Sequence, residues 1–139
     1  MRNLLAIEDD PLLRALMAPT LASMGYDVTS AVDCREALEA LRGSTHFALM
    51  LLDIMLPLAG AFDDGHEGLE AGLEILRRVR EDDELQHRRD VPVVVYSVRV
   101  GEPRIRARVE QLGGVIVPKG TDPQRLLDTM RELAPEEGG

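Results

Sequence analysis

The feature that most constrains this chain is an alternation, from end to end, of short apolar runs with longer stretches whose apolar residues recur every three or four positions. The runs are Leu4 to Ile7, Tyr26 to Val32, Phe47 to Leu52, Val91 to Ser97 and Val115 to Val117. Each is short enough for a strand and continuous enough for burial on both faces. Between them lie Leu13, Leu16, Met17, Leu21 and Met24; then Ala37, Leu38 and Leu41; then Leu69, Leu73, Leu76 and Val79; then Ile105, Val109 and Leu112; finally Leu126, Leu127, Met130 and Leu133. Such spacing gives each helix one apolar stripe. Strands that alternate with helices are joined by right-handed crossovers and make a parallel sheet covered on both sides. The pattern predicts an α/β fold: a doubly wound, five-stranded parallel sheet.

Boundary chemistry supports the parse. Asp10-Pro11, Asp33 with Glu36 three residues on, and Asp122-Pro123 are N-terminal capping patterns, and Gly25 and Gly43 suit helix exits. Two places resist the simple pattern. Pro19 lies inside the first stripe, where it removes a hydrogen bond and crowds the preceding turn. Because the stripe continues through Leu21 and Met24, a kink is expected there rather than a helix end. The second is Leu58 to Gly72, where Gly60, Gly65, Gly68 and Gly72 interleave with Asp63, Asp64, Glu67 and Glu70; it reads as a long acidic loop leading into the third helix. Arg80 to Asp90 mixes both charge signs and reads as a solvated connection, and His46 and His87 show no partner pattern.

With 139 residues the chain has the length of one domain, and residues 1–135 are expected to form it, with 136–139 as a short acidic tail and no output domain. The 25 acids against 16 bases argue against nucleic acid as a partner, since backbone phosphates are held by clustered Lys and Arg. Cys34 has no second cysteine to pair with, and Glu8 interrupts the N-terminal apolar run before it could serve as a signal peptide. No run approaches the roughly 20 apolar residues that span a bilayer. These features point to a cytoplasmic protein without a membrane partner. Fifteen of the 16 bases are Arg; the single Lys is Lys119.

In an open parallel sheet, ligands bind outside the carboxyl ends of the strands. Here the first strand ends in Glu8-Asp9-Asp10, the third in Asp53 and the fourth in Ser97, while the fifth runs through Pro118 into Lys119. If these strands are neighbours, at least three carboxylates converge beside a hydroxyl and an ammonium. Clustered carboxylates repel unless a cation shares the site, and a hard divalent ion, most plausibly Mg²⁺, suits such oxygen donors. Each residue also has a plainer role: Asp10 as a helix cap, Ser97 as a partner for a backbone group, Lys119 as a surface charge. Asp53 is the hardest to explain that way, because it ends a strand otherwise given over to burial.

The segments Ala6-Ile7-Glu8-Asp9-Asp10-Pro11, Leu51-Leu52-Asp53-Ile54-Met55-Leu56-Pro57, Val94-Val95-Tyr96-Ser97 and Val117-Pro118-Lys119 together resemble the receiver domain of two-component response regulators, and the resemblance runs from Leu4 to Leu133. It implies a CheY-like, flavodoxin-like (βα)5 fold with strand order 2-1-3-4-5. It implies Asp53 as phosphoacceptor, Asp9, Asp53 and the Met55 carbonyl as Mg²⁺ ligands, and Glu8 as holder of a metal-bound water. Ser97 would hydrogen-bond a phosphoryl oxygen, and Lys119 would pair with the phosphoryl group and Asp53. The implied donor is a histidine kinase or phosphotransfer protein. The implied output is a conformational switch read by a protein target on the face of the fourth helix, fifth strand and fifth helix, in a monomer or weak dimer. Between Arg99 and Lys119 that face carries five bases and two acids, which would suit an acidic partner, although alternating Arg is more often a solvated face. Chemistry of this kind is self-phosphorylation with slow autodephosphorylation, not that of a conventional enzyme.

Three residues depart from the family pattern. Ile116 stands where an aromatic is usual, Gly120 follows the Lys where Pro is usual, and the branched Val98 follows the hydroxyl where a small residue is usual. They motivate an alternative, a receiver-like adaptor that binds partners without phosphorylation. A third reading, an aspartate-nucleophile phosphohydrolase, needs a second acid two residues after the first, where this chain has Met55. In the long loop, Asp63, Asp64, His66 and Glu67 offer a second metal site, although a solvated loop is the better reading.

Overall fold

The computed structural model describes residues 2–62, 70–120 and 122–135. Its strands are β1 (Arg2–Ile7), β2 (Tyr26–Ala31), β3 (Phe47–Leu52), β4 (Val93–Ser97) and β5 (Val115–Pro118). Its helices are α1 (Pro11–Ser23), α2 (Cys34–Arg42), α3 (Ala71–Glu81), α4 (Pro103–Gln111) and α5 (Pro123–Leu133). The strands form one sheet in the order β2-β1-β3-β4-β5, every pair parallel. This is the five-stranded, doubly wound fold expected from the alternation. The fourth strand begins at Val93 rather than Val91, because Pro92 brings no N–H to the ladder. Residues 63–69 of the acidic loop and the 136–139 tail lie outside the described residues.

The period of two along each strand sorts side chains to opposite faces. Leu5, Ile7, Met50, Leu52, Val93 and Val95 face α2, α3 and α4; Leu4, Ala6, Leu49, Leu51 and Val94 face α1 and α5. The faces are unequally filled. Among the described residues the first cluster holds 24 buried hydrophobics and the second 12, so helix α1 is the thinly packed element. Of its expected stripe only Leu21 and Met24 are buried, while Leu16 of the same stripe is 66% exposed. The reason is position: α1 leans on the edge strand β2, and the Leu16 side is left uncovered. The helix continues through the exposed Pro19 to Ser23, as the stripe requires.

The caps behave as read. Asp10 accepts from the N–H groups of Leu12 and Leu13, Asp33 from Glu36 and Asp122 from Gln124, at 2.8–3.4 Å. Gly25 takes φ +88° at the exit of α1.

The segment 80–90 departs from its reading as a solvated connection. Asp83–Arg88 is a 3₁₀ turn whose Leu85 is buried. Arg88 is also buried; it donates to the carbonyls of Leu41, Ala40, Gly43 and Thr45 and lies over the Phe47 ring. His87 Nε2 also sits 3.0 Å from the Leu41 carbonyl. Arg80 donates to the carbonyls of Leu112, Arg89 and Val91 at 2.7–2.8 Å. These guanidiniums satisfy carbonyls that helix ends leave free. At the other edge Arg2 Nη1 donates to Ala134 and Pro135 carbonyls at 2.7 and 3.0 Å and stacks over Tyr26, tying the two ends of the described chain together.

Candidate functional site

Register carries the polar strand ends into one place. Ile7 pairs with Leu52, so Glu8 and Asp53 follow side by side, and the Asp53 N–H donates to the Ile7 carbonyl at 3.1 Å. Ser97 pairs with Pro118, and the Lys119 N–H donates to the Ser97 carbonyl, also at 3.1 Å. Four strand ends therefore converge at the carboxyl edge, the position expected for a ligand in this topology.

Glu8 and Asp53 are buried and Asp9 is exposed, yet one carboxylate oxygen from each lies within 4.8 Å of the others; they form a cluster that could hold a metal ion. Lys119 Nζ bridges the two buried acids, 2.5 Å from Glu8 Oε1 and 2.7 Å from Asp53 Oδ2. The remaining oxygens are also engaged. Asp53 Oδ1 accepts from the Met55 N–H at 3.1 Å, and Glu8 Oε2 from the Asp10 N–H at 3.2 Å. Burial pushes the Glu8 carboxyl above the ordinary value; the hydrogen bonds from Lys119 and Asp10 oppose this, and the Asp53 charge adds to it. Burial alone would lower the Lys119 ammonium, but its hydrogen bonds to Asp53 and Glu8, reinforced by their charges, win and raise it. The result is a desolvated triad of two anions and one cation, with a third anion at the rim.

Ser97 is fully buried, and its Oγ accepts from the Arg99 N–H at 3.3 Å at the start of a 3₁₀ turn, Val98–Gly101. Its hydroxyl thus has the backbone role named as the plainer reading. Asp10 is indeed a helix cap. Val98 is 67% exposed beside Ser97. Gly120 takes φ +85°, a region closed to Pro, so the chain leaves Lys119 along a path that the usual residue could not follow. Ile116 is half-buried against the core on the α2, α3, α4 side.

Three contributors escaped the sequence reading. Arg14 Nη1 donates to the Glu8 carbonyl at 2.8 Å and fixes the β1 exit. Tyr96, on the opposite side of the sheet from Ile116, places its ring 5.9 Å from Lys119 Nζ. Gly72 is not a loop glycine at all. It lies in the first turn of α3, donates to the Ile54 carbonyl at 2.8 Å, and packs so closely that a Cβ would sit 2.2 Å from the Asp53 carbonyl oxygen. The acidic loop therefore ends before Ala71, and α3 is pressed directly against the strand end that carries Asp53.

The family model for the response regulator receiver domain matches residues 4–131. The chain belongs to that family. Among named relatives, response regulator RR06 of Streptococcus pneumoniae is 29% identical over 110 residues, 79% of this chain and 42% of that protein. The polar-differentiation response regulator DivK of Brucella ovis is 28% identical over 105 residues, 76% of each chain. Two solved structures that share the fold are the chemotaxis response regulator CheY4 of Vibrio cholerae (TM-score 0.74, 23% identity, 96% of this chain and 98% of that one) and the PA1611 receiver domain of Pseudomonas aeruginosa (0.71, 21%, 96% and 97%). The latter was crystallised with a magnesium ion coordinated in its active-site cleft. Among the described residues no helix of this receiver is long and apolar enough to cross a membrane.

Proposed function

We propose that this receiver accepts a phosphoryl group on Asp53, using Mg²⁺, and passes the resulting conformational change to a protein partner. The observation that carries the reading is the juxtaposition of Glu8, Asp9 and Asp53 within 4.8 Å, with Lys119 bridging two of them. An isolated surface cluster of acids would not need a half-buried ammonium bridging it.

The donor set fits a hard divalent cation, which favours carboxylate and carbonyl oxygens. Asp9, Asp53 and the Met55 carbonyl would hold Mg²⁺, with Glu8 orienting a water beside it. When bound, the ion would neutralise charge between an anionic nucleophile and an anionic phosphoryl group. The chain's own residues do the rest. Asp53 Oδ2 is held by Lys119 at 2.7 Å, so its lone pairs are fixed at the end of β3. A carboxylate oxygen attacks phosphorus, an acyl phosphate bond forms, and the P–N bond of a phosphohistidine or the P–O bond of a small acyl phosphate breaks. Lys119 then shifts its hydrogen bond from carboxylate to phosphoryl oxygen. Ser97 would donate its hydroxyl proton to a phosphoryl oxygen while its Oγ goes on accepting from the Arg99 N–H, and that shared oxygen links the site to the 3₁₀ turn and α4. The donor in this reading is a histidine kinase or histidine phosphotransfer protein. The output face is α4, β5 and α5, in a monomer or weak dimer of a cytoplasmic protein.

That face is less basic than the sequence count suggests. Lys119 belongs to the site, Arg99 is paired with Glu102 at 2.8 Å, and Arg104 with Glu70 at 2.7 Å. An acidic partner surface is therefore not part of the proposal.

Incubation with acetyl phosphate and Mg²⁺ tests the reading by intact mass. One phosphate should be gained by the wild type and none by Asp53→Asn; absence of any adduct under saturating donor would overturn it. A second reading, a receiver-like adaptor that binds its partner unphosphorylated, is favoured by Ile116 and by the Gly120 path. It expects partner binding to survive both Asp53→Asn and Lys119→Ala.

A further inference from the structure

The thin packing beneath α1 leaves a space that the triad does not use. A cleft of about 200 Å³ lies between α1 and the sheet, walled by Ala6, Met17, Leu21, Val28 and Leu51, with Tyr96 at one side. Its upper end reaches the undersides of Glu8 and Asp53 and the Arg14 side chain. A second apolar cleft of about 280 Å³ opens between α1 and α5, and Met17, Leu21 and Tyr96 line both. Folded interiors contain few voids larger than a water molecule. An apolar cavity of about 150 Å³ holds benzene. The volume beneath α1 therefore suits one or two rings, and is far too small for a peptide helix.

The walls select the chemistry. Tyr96 offers an aromatic surface for stacking, Met17 a polarisable sulfur, and Arg14 a guanidinium that favours a ring face. The two carboxylates at the upper end disfavour an anion. Lys119 offsets only one of their two charges, so that end stays negative, while the Arg14 guanidinium and the largely apolar walls below disfavour a cation as well. A neutral aromatic with one N–H or O–H donor satisfies all four conditions. We propose that the cleft beneath α1 is a binding site for a small uncharged aromatic molecule of one or two rings, with α1 as its outer wall. The inference rests on the packing of this face and stands apart from phosphorylation at Asp53.

The test uses the full chain carrying [¹³C-methyl]methionine, with indole as probe and indole-3-acetate as its anionic counterpart. The Met17 methyl resonance should move saturably with indole, half-saturating below about 1 mM, and at least about tenfold more weakly with indole-3-acetate. Met50, on the other face of the sheet, should not move. Ala6→Leu and Val28→Phe fill the cleft from β1 and from the edge strand β2; each should weaken indole binding by more than about tenfold. Should Ala6→Leu fail to fold, Val28→Phe decides, since Val28 is only half-buried on an edge strand. A linear, unsaturable Met17 shift, equal movement of Met50, or undiminished binding in the filled Val28→Phe variant overturns the proposal.

Discussion

Replacing Gly72 with alanine should damage both the stability and the chemistry of this receiver, although alanine is the better helix former. In the first turn of α3 the exchange would by propensity gain about 1 kcal/mol. The added Cβ would instead stand 2.2 Å from the Asp53 carbonyl oxygen and 2.6 Å from Ile54 Cα. Both obstacles are backbone, so no rotamer change relieves them. To reach even 3.0 Å, the shortest separation real Cβ atoms show, α3 and the β3 end must part by roughly 0.8 Å. That stretches the 2.8 Å bond from the Gly72 N–H to the Ile54 carbonyl. Overpacking of this kind costs about 1–3 kcal/mol, and the unyielding neighbours put it at the upper end, for a net loss of about 2 kcal/mol. Urea unfolding should show the midpoint falling by roughly 1 M with an unchanged slope. Because the parting moves the residue that is to be phosphorylated, uptake from acetyl phosphate should slow by up to about 100-fold. Gly101→Ala is the control: nothing lies within 4 Å of its would-be Cβ, and the exchange should be neutral or slightly stabilising. A Gly72→Ala protein within about 0.5 kcal/mol of wild type and phosphorylated at the same rate would refute the reasoning.

Other expectations follow from the same contacts. Lys119→Met leaves two buried carboxylates facing each other and should cost about 3 kcal/mol in metal-free urea titrations; an undiminished midpoint would show that the ammonium is not needed there. Saturating Mg²⁺ should stabilise the wild type, by about 2.7 kcal/mol at a hundredfold excess over Kd, and leave Asp53→Ala nearly unmoved. Arg88→Met strands the carbonyls of Leu41, Gly43 and Thr45 and should cost about 2–4 kcal/mol; Arg88→Lys, lacking the planar fork, should recover less than half. Burial, aided by the Asp33 charge, pushes the Cys34 thiol from 9.0 up to about 12. The fold prefers the protonated form, so stability is full below the unfolded value of 9.0 and falls by about 1.4 kcal/mol per pH unit above it, until about 12. Comparing wild type with Cys34→Ala at about pH 8 and about pH 10 isolates that slope, and identical pH dependence in the two proteins would count against it.

Much of the fold was legible in the sequence because its signals are local. The caps at Asp10, Asp33 and Asp122 act within three residues of themselves, and buried parallel strands announce themselves as unbroken apolar runs. The convergence of Glu8, Asp9, Asp53 and Lys119 was legible through topology, since adjacent parallel strands bring like ends together. What escaped depends on partners distant in sequence. Gly72 reads as one more loop glycine until α3 is placed against Asp53, and Arg88 reads as a surface charge until four carbonyls some forty residues earlier surround it. Leu16 failed for a different reason: periodicity shows that a helix has an apolar face, not how much of that face its neighbours cover.

The Arg2 clamp has a practical consequence for anything joined to this chain. It holds residue 2 beside residues 134 and 135 at the amino edge of the sheet, whereas the acid triad lies at the carboxyl edge, a full strand length away. A reporter, anchor or affinity tag fused at either described end would depart from that far edge and leave the approach to Asp53 unshaded. A donor and acceptor dye pair placed at the two ends would start close together and separate only when β1 lets go. Such a pair would follow loss of β1 and ignore movements confined to α4.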